Sequence, residues 1–315
     1  MRIALFNDAG EYPHVGCRAV SAAHNRMLAD LNVLVAYRSA LGEWRELAIP
    51  DSDLADRAFQ ASGLVGHLAG VDAVVVNGEG TIHHAGGGHL LTILRGAQSL
   101  GLPTLLVNAV FQESDADLAT LRRLTDFTVR DGASAAYLRQ LGVTHRVVFD
   151  SMLEAPFVTG PALDVRGKVI VTDHHASRDG DVGAALRQLR DTLGDDVVYY
   201  PLKDAARADL WQHSVADFRT ARLVVTARHH GVCLAALAGV PFVALGSNTW
   251  KIEGMLALLP GDVSVCDDLA RLPDACMAAV KHPKRFDDIR RWLDAARPLR
   301  TFDVLRDVGA NRVAN

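Results

Sequence analysis

The residues with the greatest potential for chemistry follow strand-like apolar runs. Arg228, His229 and His230 come directly after the β-branched run Leu223–Thr226 and before a helix-like segment of small residues. In a parallel βαβ unit the helix begins at the carboxyl end of the first strand, which is where an open α/β sheet binds ligands. A guanidinium, an imidazole and the free N–H groups of a helix N-terminus favour an anion such as phosphate or carboxylate. The alternative is a helix cap with a solvated arginine.

Two more residues extend this expected anion site. Gly231 would let the backbone approach a ligand closely. Lys251 follows the next apolar run, Pro241–Leu245, near the same end of the sheet. A solvated lysine at a helix start is the alternative, and the helix dipole disfavours it. The expected donor-binding residues are Arg228, His229, His230, Gly231 and Lys251, and Arg228 and His230 are also expected to be catalytic.

A glycine-rich loop ends another predicted strand, Asp72–Asn77. The stretch 77–88, NGEGTIHHAGGG, has five glycines in twelve positions, which allows close backbone approach to a ligand. Glu79 is its only carboxylate and the expected catalytic base, because deprotonating an alcohol needs a carboxylate or an imidazole within hydrogen-bond reach. A carboxylate that only orders the loop is the alternative. The loop residues expected to bind the acceptor are Asn77, Gly78, His83 and His84.

Two other strand ends add candidates for acceptor binding. Asn7, Asp8 and Gly10 lie in the loop NDAGEYPHVG after the first predicted strand, and they could equally be turn residues. This loop lacks the GxGxxG spacing, so a dinucleotide site is not supported. Arg130 and Asp131 follow the predicted strand that starts at Asp126, where an acid either caps the next helix or reaches into a cleft.

The sequence contains three pairs of adjacent histidines, His83/His84, His174/His175 and His229/His230. Histidine is a common metal ligand, so these pairs raise the possibility of a metal site. Adjacent residues of an extended chain point to opposite sides, so one pair seldom supplies two ligands to one ion. The sequence has no HExxH spacing and no CxxC among its four cysteines. We therefore expect no metal and no resident cofactor.

Strand-like and helix-like segments alternate along the chain, which predicts parallel sheets. The alternation lapses at Ser151–Gly167, and 315 residues exceed what one core usually supports. The predicted fold is α/β, with two Rossmann-like domains facing each other across a cleft. The expected division is residues 1–155 on the acceptor side, residues 165–285 on the donor side, and residues 286–315 as a C-terminal helix and tail near the domain junction.

Charge and hydropathy limit the possible partners. A formal charge of −4 argues against nucleic acid and anionic membranes as partners. The N-terminus lacks a basic segment followed by an apolar one, and no run of about 18 apolar residues occurs. We expect a soluble cytoplasmic protein without a transmembrane segment, and the sequence indicates no oligomeric state.

The motifs resemble the polysaccharide pyruvyltransferase family. The matching pieces are NDAGEYPHVG, NGEGTIHHAGGG, VRDGASAAYLRQLGV with the following Asp150, and TARHHGVCLAALAGVPFVALGSNTWK. The family carries Arg-Leu-His-Gly at the head of the last helix. Here Arg228 and His230 match the arginine and histidine, His229 stands in the leucine position, and Lys251 matches a recurrent lysine.

The resemblance implies a glycosyltransferase-B-like fold and a transferase of polysaccharide biosynthesis. It also implies transfer of a carboxyvinyl group from phosphoenolpyruvate, as a co-substrate, to sugar hydroxyls of a glycan acceptor, forming a ketal. In that family the Arg and His matched by Arg228 and His230 are linked to the donor. Glu79, with the histidine pair beside it, stands where the family often has more glycine, and His229 adds a titratable group.

These departures leave a second enzyme class open, a glycosyltransferase with a nucleotide-sugar donor and Glu79 as base. A non-catalytic protein that binds a sugar or an anion is a third possibility. Several titratable groups facing one cleft make it the less favoured one.

Overall fold

The computed structural model describes residues 1–84, 86–113, 117–296, 301–306 and 308. These residues form two compact units. The first unit contains Met1–Glu11, His24–Ser151 and residues 301–306 and 308, and the second contains Tyr12–Ala23 and residues 152–296.

The first part of the chain alternates strands and helices around a six-stranded parallel sheet. Its elements are β1 (Arg2–Asp8), α1 (Val15–Asp30), β2 (Leu34–Ala40), α2 (Ser52–Ala61), α3 (Leu64–Leu68), β3 (Ala73–Asn77), β4 (Ile82–His83), α4 (Gly88–Ser99), β5 (Thr104–Ala109), β6 (Phe111–Gln112), α5 (Leu118–Arg122), β7 (Asp126–Val129), α6 (Gly132–Gln140) and β8 (Arg146–Val147). The strand order of the main sheet is β2-β1-β3-β5-β7-β8, and β4 and β6 form a separate two-stranded sheet.

The core of the first unit explains why its strands are nearly continuous apolar runs. Every residue of β3 and β5 is buried, as expected for a parallel sheet covered by helices on both faces. Helix α2 packs on α4. A Cβ at Gly96 would lie only 2.5 Å from the Phe59 ring, so a glycine is required where the two helices cross.

The second part of the chain repeats this pattern on a smaller scale. Its elements are β9 (Val169–Thr172), α7 (Ala184–Leu193), β10 (Val197–Tyr200), α8 (Ala205–Asp209), α9 (Ser214–Thr220), β11 (Leu223–Thr226), α10 (His229–Ala238), β12 (Phe242–Ala244), α11 (Lys251–Leu256), α12 (Leu272–Lys281) and α13 (Pro283–Ala296). Four parallel strands form its sheet in the order β10-β9-β11-β12.

Both sheets have the same topology at their centre. The first strand of each lies between the second and the third, so the chain moves to one side of β1 or β9 and then to the other. Such a reversal creates a crevice at the carboxyl ends of the two central strands, and open α/β sheets bind ligands there. The fold thus identifies two places for sites: the ends of β1 and β3, and the ends of β9 and β11.

The α/β class with two Rossmann-like units is confirmed, but the unit boundaries differ from the predicted ones. Residues 12–23 belong to the second unit instead of the first. The reason is that the Val15 N–H donates to the carbonyl of Leu202 at 2.8 Å and Arg18 pairs with Asp209 at 2.5 Å. These contacts are long-range, so the local sequence pattern does not show them.

The predicted C-terminal segment 286–315 is also divided. Helix α13 belongs to the second unit, where the Phe286 ring lies 5.0 Å from that of Phe242. Phe302 belongs to the first unit and packs its ring 5.0 Å from that of His24. Residues 297–300, 307 and 309–315 of this segment lie outside the described residues.

None of the described helices combines the length and the apolar character that are needed to cross a membrane.

Candidate functional site

An ion pair bridges the carboxyl ends of β9 and β11 in the second unit. This place, where the strand order of a sheet reverses, is its switch point. Arg228, at the end of β11, donates from Nε at 2.9 Å and from Nη2 to Oδ2 of Asp173, which follows β9. The other carboxylate oxygen of Asp173 accepts from the Leu202 N–H at 2.7 Å. The Arg228 side chain is 17% exposed. Asp173 therefore fixes the plane of the guanidinium, a contact that sequence reasoning missed.

Helix α10 begins at this point and is buried along its whole length. The Arg228 N–H donates to Thr226 Oγ1 at 3.1 Å, and that hydroxyl lies 2.7 Å from the hydroxyl of Thr172. A Cβ at Gly231 would lie 2.1 Å from Thr226 Oγ1. The structure thus gives Gly231 a packing role, since it lets the helix sit on the strand ends.

Two other predicted donor-binding residues contact each other. The His229 ring places Nδ1 3.1 Å from the carbonyl oxygen of Lys251, which requires the proton to be on Nδ1. Lys251 Nζ donates to Asn248 Oδ1 at 2.7 Å. His229 is buried and joins the start of α10 to the start of α11. This contact places Lys251 and supports a structural role for His229.

His230 has a partner that the sequence analysis did not include. The rings of His14 and His230 lie 5.2 Å apart, edge to face. Gly16 makes this approach possible, because a Cβ there would lie 2.0 Å from His230 Cγ. His14 Nδ1 accepts the Gly16 N–H at 3.1 Å. Burial, followed by the positive charges of His230, Arg228, Lys251 and Lys203, holds the pKa of His14 well below its usual value.

The charges that act on His14 define a cationic cluster of Lys203, Arg228 and Lys251. His175 lies in the same field: burial, then Lys251, Arg228 and Lys203, lowers its pKa. Lys203 also lies 5.6 Å from the centre of the Tyr12 ring. Such a concentration of positive charge at a strand-end crevice suits an anionic ligand. Lys203 follows β10, so its position after a strand is the signal that could have found it.

The switch point of the first unit is bridged by amides. Asn7 Nδ2 donates to the Asn77 carbonyl at 2.7 Å, and Asn77 Nδ2 donates to the Asn7 carbonyl at 3.3 Å. Asn7, Glu79 and Asn108 have positive φ angles of 61°, 46° and 55°. Non-glycine residues in this conformation are strained and cluster at functional sites. Asn7 and Asn108 are the next-to-last residues of β1 and β5, and Glu79 lies two residues after β3.

A buried ion network lies beside these residues. Arg130 Nη1 lies 3.1 Å from Glu79 Oε2 and 2.6 Å from Asp150 Oδ2. The three side chains are 3%, 6% and 0% exposed. One guanidinium therefore serves two carboxylates, and the group carries a formal excess of negative charge. Asp150 was noted in the sequence as part of a motif, but it was not among the predicted site residues.

Several polar atoms near this network are buried and have no hydrogen-bond partner among the described residues: Asp8 Oδ1, Asn77 Oδ1, Glu79 Oε1 and Asn108 Nδ2. The second oxygen of Asp8 accepts from Arg38 at 2.6 Å. Asn108 Oδ1 accepts the N–H of Ser151 at 3.0 Å, which orients its amide nitrogen. This edge of the sheet therefore offers both hydrogen-bond acceptors and a hydrogen-bond donor.

Other predicted acceptor residues have structural roles. Asp131 caps α6, accepting from the N–H and the hydroxyl of Ser134 at 2.7 and 2.5 Å; burial raises its pKa although these bonds oppose the shift. A Cβ at Gly78 would lie 2.5 Å from that of Ala109, so this glycine is needed for packing.

The remaining predicted acceptor residues lie in loops or in the small β4-β6 sheet. His83 ends β4, and His84 Nδ1 lies 3.3 Å from Glu113 Oε2 at the surface. Ala85 of the glycine-rich loop lies outside the described residues. Gly10 lies in the turn after β1.

The two Rossmann-like units have the fold of the glycosyltransferase-B structural class. The profile of one family, described as polysaccharide pyruvyl transferase, matches residues 15–249. The chain belongs to this family, and it is therefore a transferase enzyme. No curated protein matches the sequence.

Solved structures with a similar fold include UDP-GlcNAc 2-epimerases. The UDP-GlcNAc 2-epimerase of Methanocaldococcus jannaschii, in complex with UDP-GlcNAc and UDP, aligns with a TM-score of 0.59 at 13% identity over 94% of this chain and 100% of that chain. The UDP-GlcNAc 2-epimerase of Neisseria meningitidis, bound to UDP-GlcNAc, gives 0.58 at 11% identity, with 100% of both chains covered. S. aureus MnaA with UDP gives 0.61 at 13% identity over 99% and 96%. At these identities the similarity concerns the fold.

Proposed function

We propose that the chain transfers the pyruvyl group of phosphoenolpyruvate to two hydroxyls of a polysaccharide sugar or of its precursor. In this reaction both hydroxyl oxygens form bonds to C2 of the donor, the bond from C2 to the phosphate oxygen breaks, and the methylene carbon gains a proton. Of the two hydroxyl protons that are released, one leaves with the phosphate. The other balances the proton that the methylene carbon has gained. No resident cofactor is needed.

The cationic cluster of the second unit carries this proposal. A compact donor with phosphate and carboxylate groups needs several positive charges close together, and Lys203, Arg228 and Lys251 supply them. Asp173 accepts hydrogen bonds from Nε and Nη2 of Arg228. Nη1 is therefore the nitrogen that would bind the donor. Arg228 and His230 would stabilise the charge that develops on the leaving phosphate.

The first unit supplies the features that an uncharged acceptor requires. Asp8 and Asn77 have oxygens that can accept hydrogen bonds from sugar hydroxyls, and Asn108 has an N–H that can donate to one. Glu79 is the proposed base, because its Oε1 has no partner among the described residues while Arg130 holds its Oε2. A carboxylate held on one side presents its other oxygen in a defined direction.

Calorimetric titration and phosphate release test the donor. We expect binding heat with phosphoenolpyruvate and none with UDP or UDP-GlcNAc, and phosphate release when a panel of glycans is added. The reverse binding pattern would establish the second candidate, a glycosyltransferase with a nucleotide-sugar donor. Its motivation is that enzymes of the same fold hold UDP-GlcNAc.

Substitution of the arginine tests the site. Lysine cannot keep two bonds to Asp173 and still offer a planar fork to the donor. Arg228→Lys should therefore lower kcat/KM at least tenfold, or about 1.4 kcal/mol of transition-state stabilisation. Arg222→Lys is the matched control, because this exposed arginine precedes the other end of β11. If Arg228→Lys keeps full activity but loses several degrees of Tm, the arginine is structural and the donor site lies elsewhere.

A further inference from the structure

A thiol and two imidazoles form a cluster within the second unit. The Cys17 sulfur and one ring nitrogen each of His14 and His230 lie within 4.8 Å of one another. His14 and Cys17 lie at the start of α1, and His230 lies in the first turn of α10. His14 and His230 are buried and Cys17 is half-buried, so the thiol is the most accessible member.

The proposed reaction requires a proton donor that has not yet been assigned. The donor's methylene carbon becomes a methyl group, so a C–H bond must form with the electron pair of the C=C bond. Carbon is protonated slowly without an acid placed against it, and a positioned acid typically contributes about 10²–10⁴-fold in rate. The side chains of Arg228, Lys203 and Lys251 are weak acids, so they release a proton poorly at neutral pH.

A hydrogen bond from the backbone to His14 decides between His14 and Cys17 as the acid. His14 Nδ1 accepts the Gly16 N–H, so the ring proton is on Nε2 and the ring is uncharged. A neutral imidazole is a weak acid, whereas a thiol releases its proton near neutral pH. The cations that act on His14 would also stabilise a thiolate at Cys17 in the same cluster. His14 is thus suited to donate a hydrogen bond to the donor, and Cys17 to give up a proton.

We propose that Cys17 is the catalytic acid that delivers a proton to the methylene carbon of the donor. The S–H bond breaks as the electron pair of the C=C bond forms the C–H bond, which leaves C2 electron-deficient. A lone pair of the acceptor hydroxyl then forms a bond to C2, and the proton of that hydroxyl passes to the base. The thiolate regains its proton from solvent, to which it is the most accessible member of the cluster. This inference rests on the proposed function of the same site.

A metal ion held by the same three side chains is the competing interpretation. Two imidazoles and a thiolate are ligands that Zn²⁺ accepts. However, Lys203, Arg228 and Lys251 act on His14, and they would repel a divalent cation from this place. The Nδ1 contact of His14 also leaves a proton, not a lone pair, on Nε2. The test includes this alternative as an outcome.

Cys17→Ser tests the proposal, with Cys266→Ser as the matched control because Cys266 is also a half-buried thiol of the second unit. In Cys17→Ser, we expect phosphoenolpyruvate to bind with a Kd within about threefold of the wild type, while glycan-dependent phosphate release falls at least about 100-fold. The wild-type rate should decline as the pH rises through the thiol titration, and this decline should be absent from the residual activity of Cys17→Ser. Phosphoenolpyruvate should protect Cys17 from iodoacetamide, with the site identified by mass spectrometry.

Three results would overturn the proposal, and they can be told apart. Binding and phosphate release within threefold of the wild type in Cys17→Ser would exclude Cys17 but leave the proposed function intact. Failure of the wild type to bind phosphoenolpyruvate would reject the proposed function and this role together. Stoichiometric zinc in the purified wild type, lost in Cys17→Ser and retained in Cys266→Ser, would make the cluster a metal site.

Discussion

Replacing Arg130 with methionine should destabilise the first unit strongly. The substitution keeps an apolar side chain of similar length but removes the positive charge that Glu79 and Asp150 share. Both carboxylates are almost completely buried, so water cannot take over the role of the guanidinium. Breaking a buried ion pair by removing one partner typically costs about 3–5 kcal/mol.

The geometry gives an independent magnitude. The oxygens of Glu79 and Asp150 lie 3.1 and 2.6 Å from the same nitrogen of Arg130, so they are separated by at most the sum, 5.7 Å. Two like charges at this separation repel by about 3 kcal/mol at an effective dielectric constant of about 20. We therefore expect Arg130→Met to lose at least about 3 kcal/mol of unfolding free energy at neutral pH.

Urea unfolding followed by circular dichroism measures this loss. Hydrogen exchange of peptides from β3 and β5 would then assign it to the first unit. Arg95→Met is the matched control, because its acidic partners Asp56 and Asp117 are 52% and 35% exposed and stay hydrated. The control should lose only about 0.2–1 kcal/mol.

A second substitution keeps the reasoning testable if Arg130→Met is too unstable to purify. Adding Asp150→Asn removes one of the two negative charges, so the double variant should regain part of the lost stability. The account of the network would be refuted if Arg130→Met lost less than about 1 kcal/mol, or if the double variant were no more stable than the single one.

Two other predictions follow from glycine packing and from a buried histidine. Gly16→Ala should lower kcat/KM more than tenfold, because a Cβ would lie 2.0 Å from His230 Cγ and the His230 ring must move. Steady-state kinetics with a measurement of Tm would check this. Unchanged kinetics would contradict the assigned position of His230. Burial lowers the pKa of His24 to about 4 from 6.5. Between these pH values the unfolded chain therefore binds more protons than the folded chain. The unfolding free energy should fall as the pH drops from 6.5 to 4, by about 3 kcal/mol in total. In His24→Leu, urea midpoints between pH 4 and 7 should show a weaker dependence, and an unchanged slope would exclude His24 as its source.

The sequence was sufficient for features that depend on local pattern. The run Leu223–Thr226 and the small-residue segment after Arg228 predict a strand and a helix, and the structure has β11 and α10 there. The position of Arg228 between them follows from the βαβ rule alone. The alternation of elements likewise predicts the α/β class, which the strand order of both sheets confirms.

Contacts between distant residues could not be predicted in the same way. Asp173 and Arg228 are 55 positions apart, and Arg130 and Glu79 are 51 apart. Such pairs depend on which strands become neighbours, and a single sequence does not specify the strand order. The left-handed backbone at Asn108 is another example, since asparagine also occurs in ordinary turns.

The balance of charge at the two switch points supports the assignment of the substrates. In the first unit, one arginine serves two buried carboxylates, and Asp8 adds another acid held by Arg38. That edge of the sheet repels anions and offers oxygen atoms to hydroxyl groups. In the second unit, one carboxylate fixes Arg228, and Lys203 and Lys251 add positive charge to the same cluster. Because the two edges have the same topology but opposite charge, a charged donor is favoured at one and an uncharged polyol at the other. The proposed division of the substrates rests on the side chains that each sheet carries, since the fold is common to both.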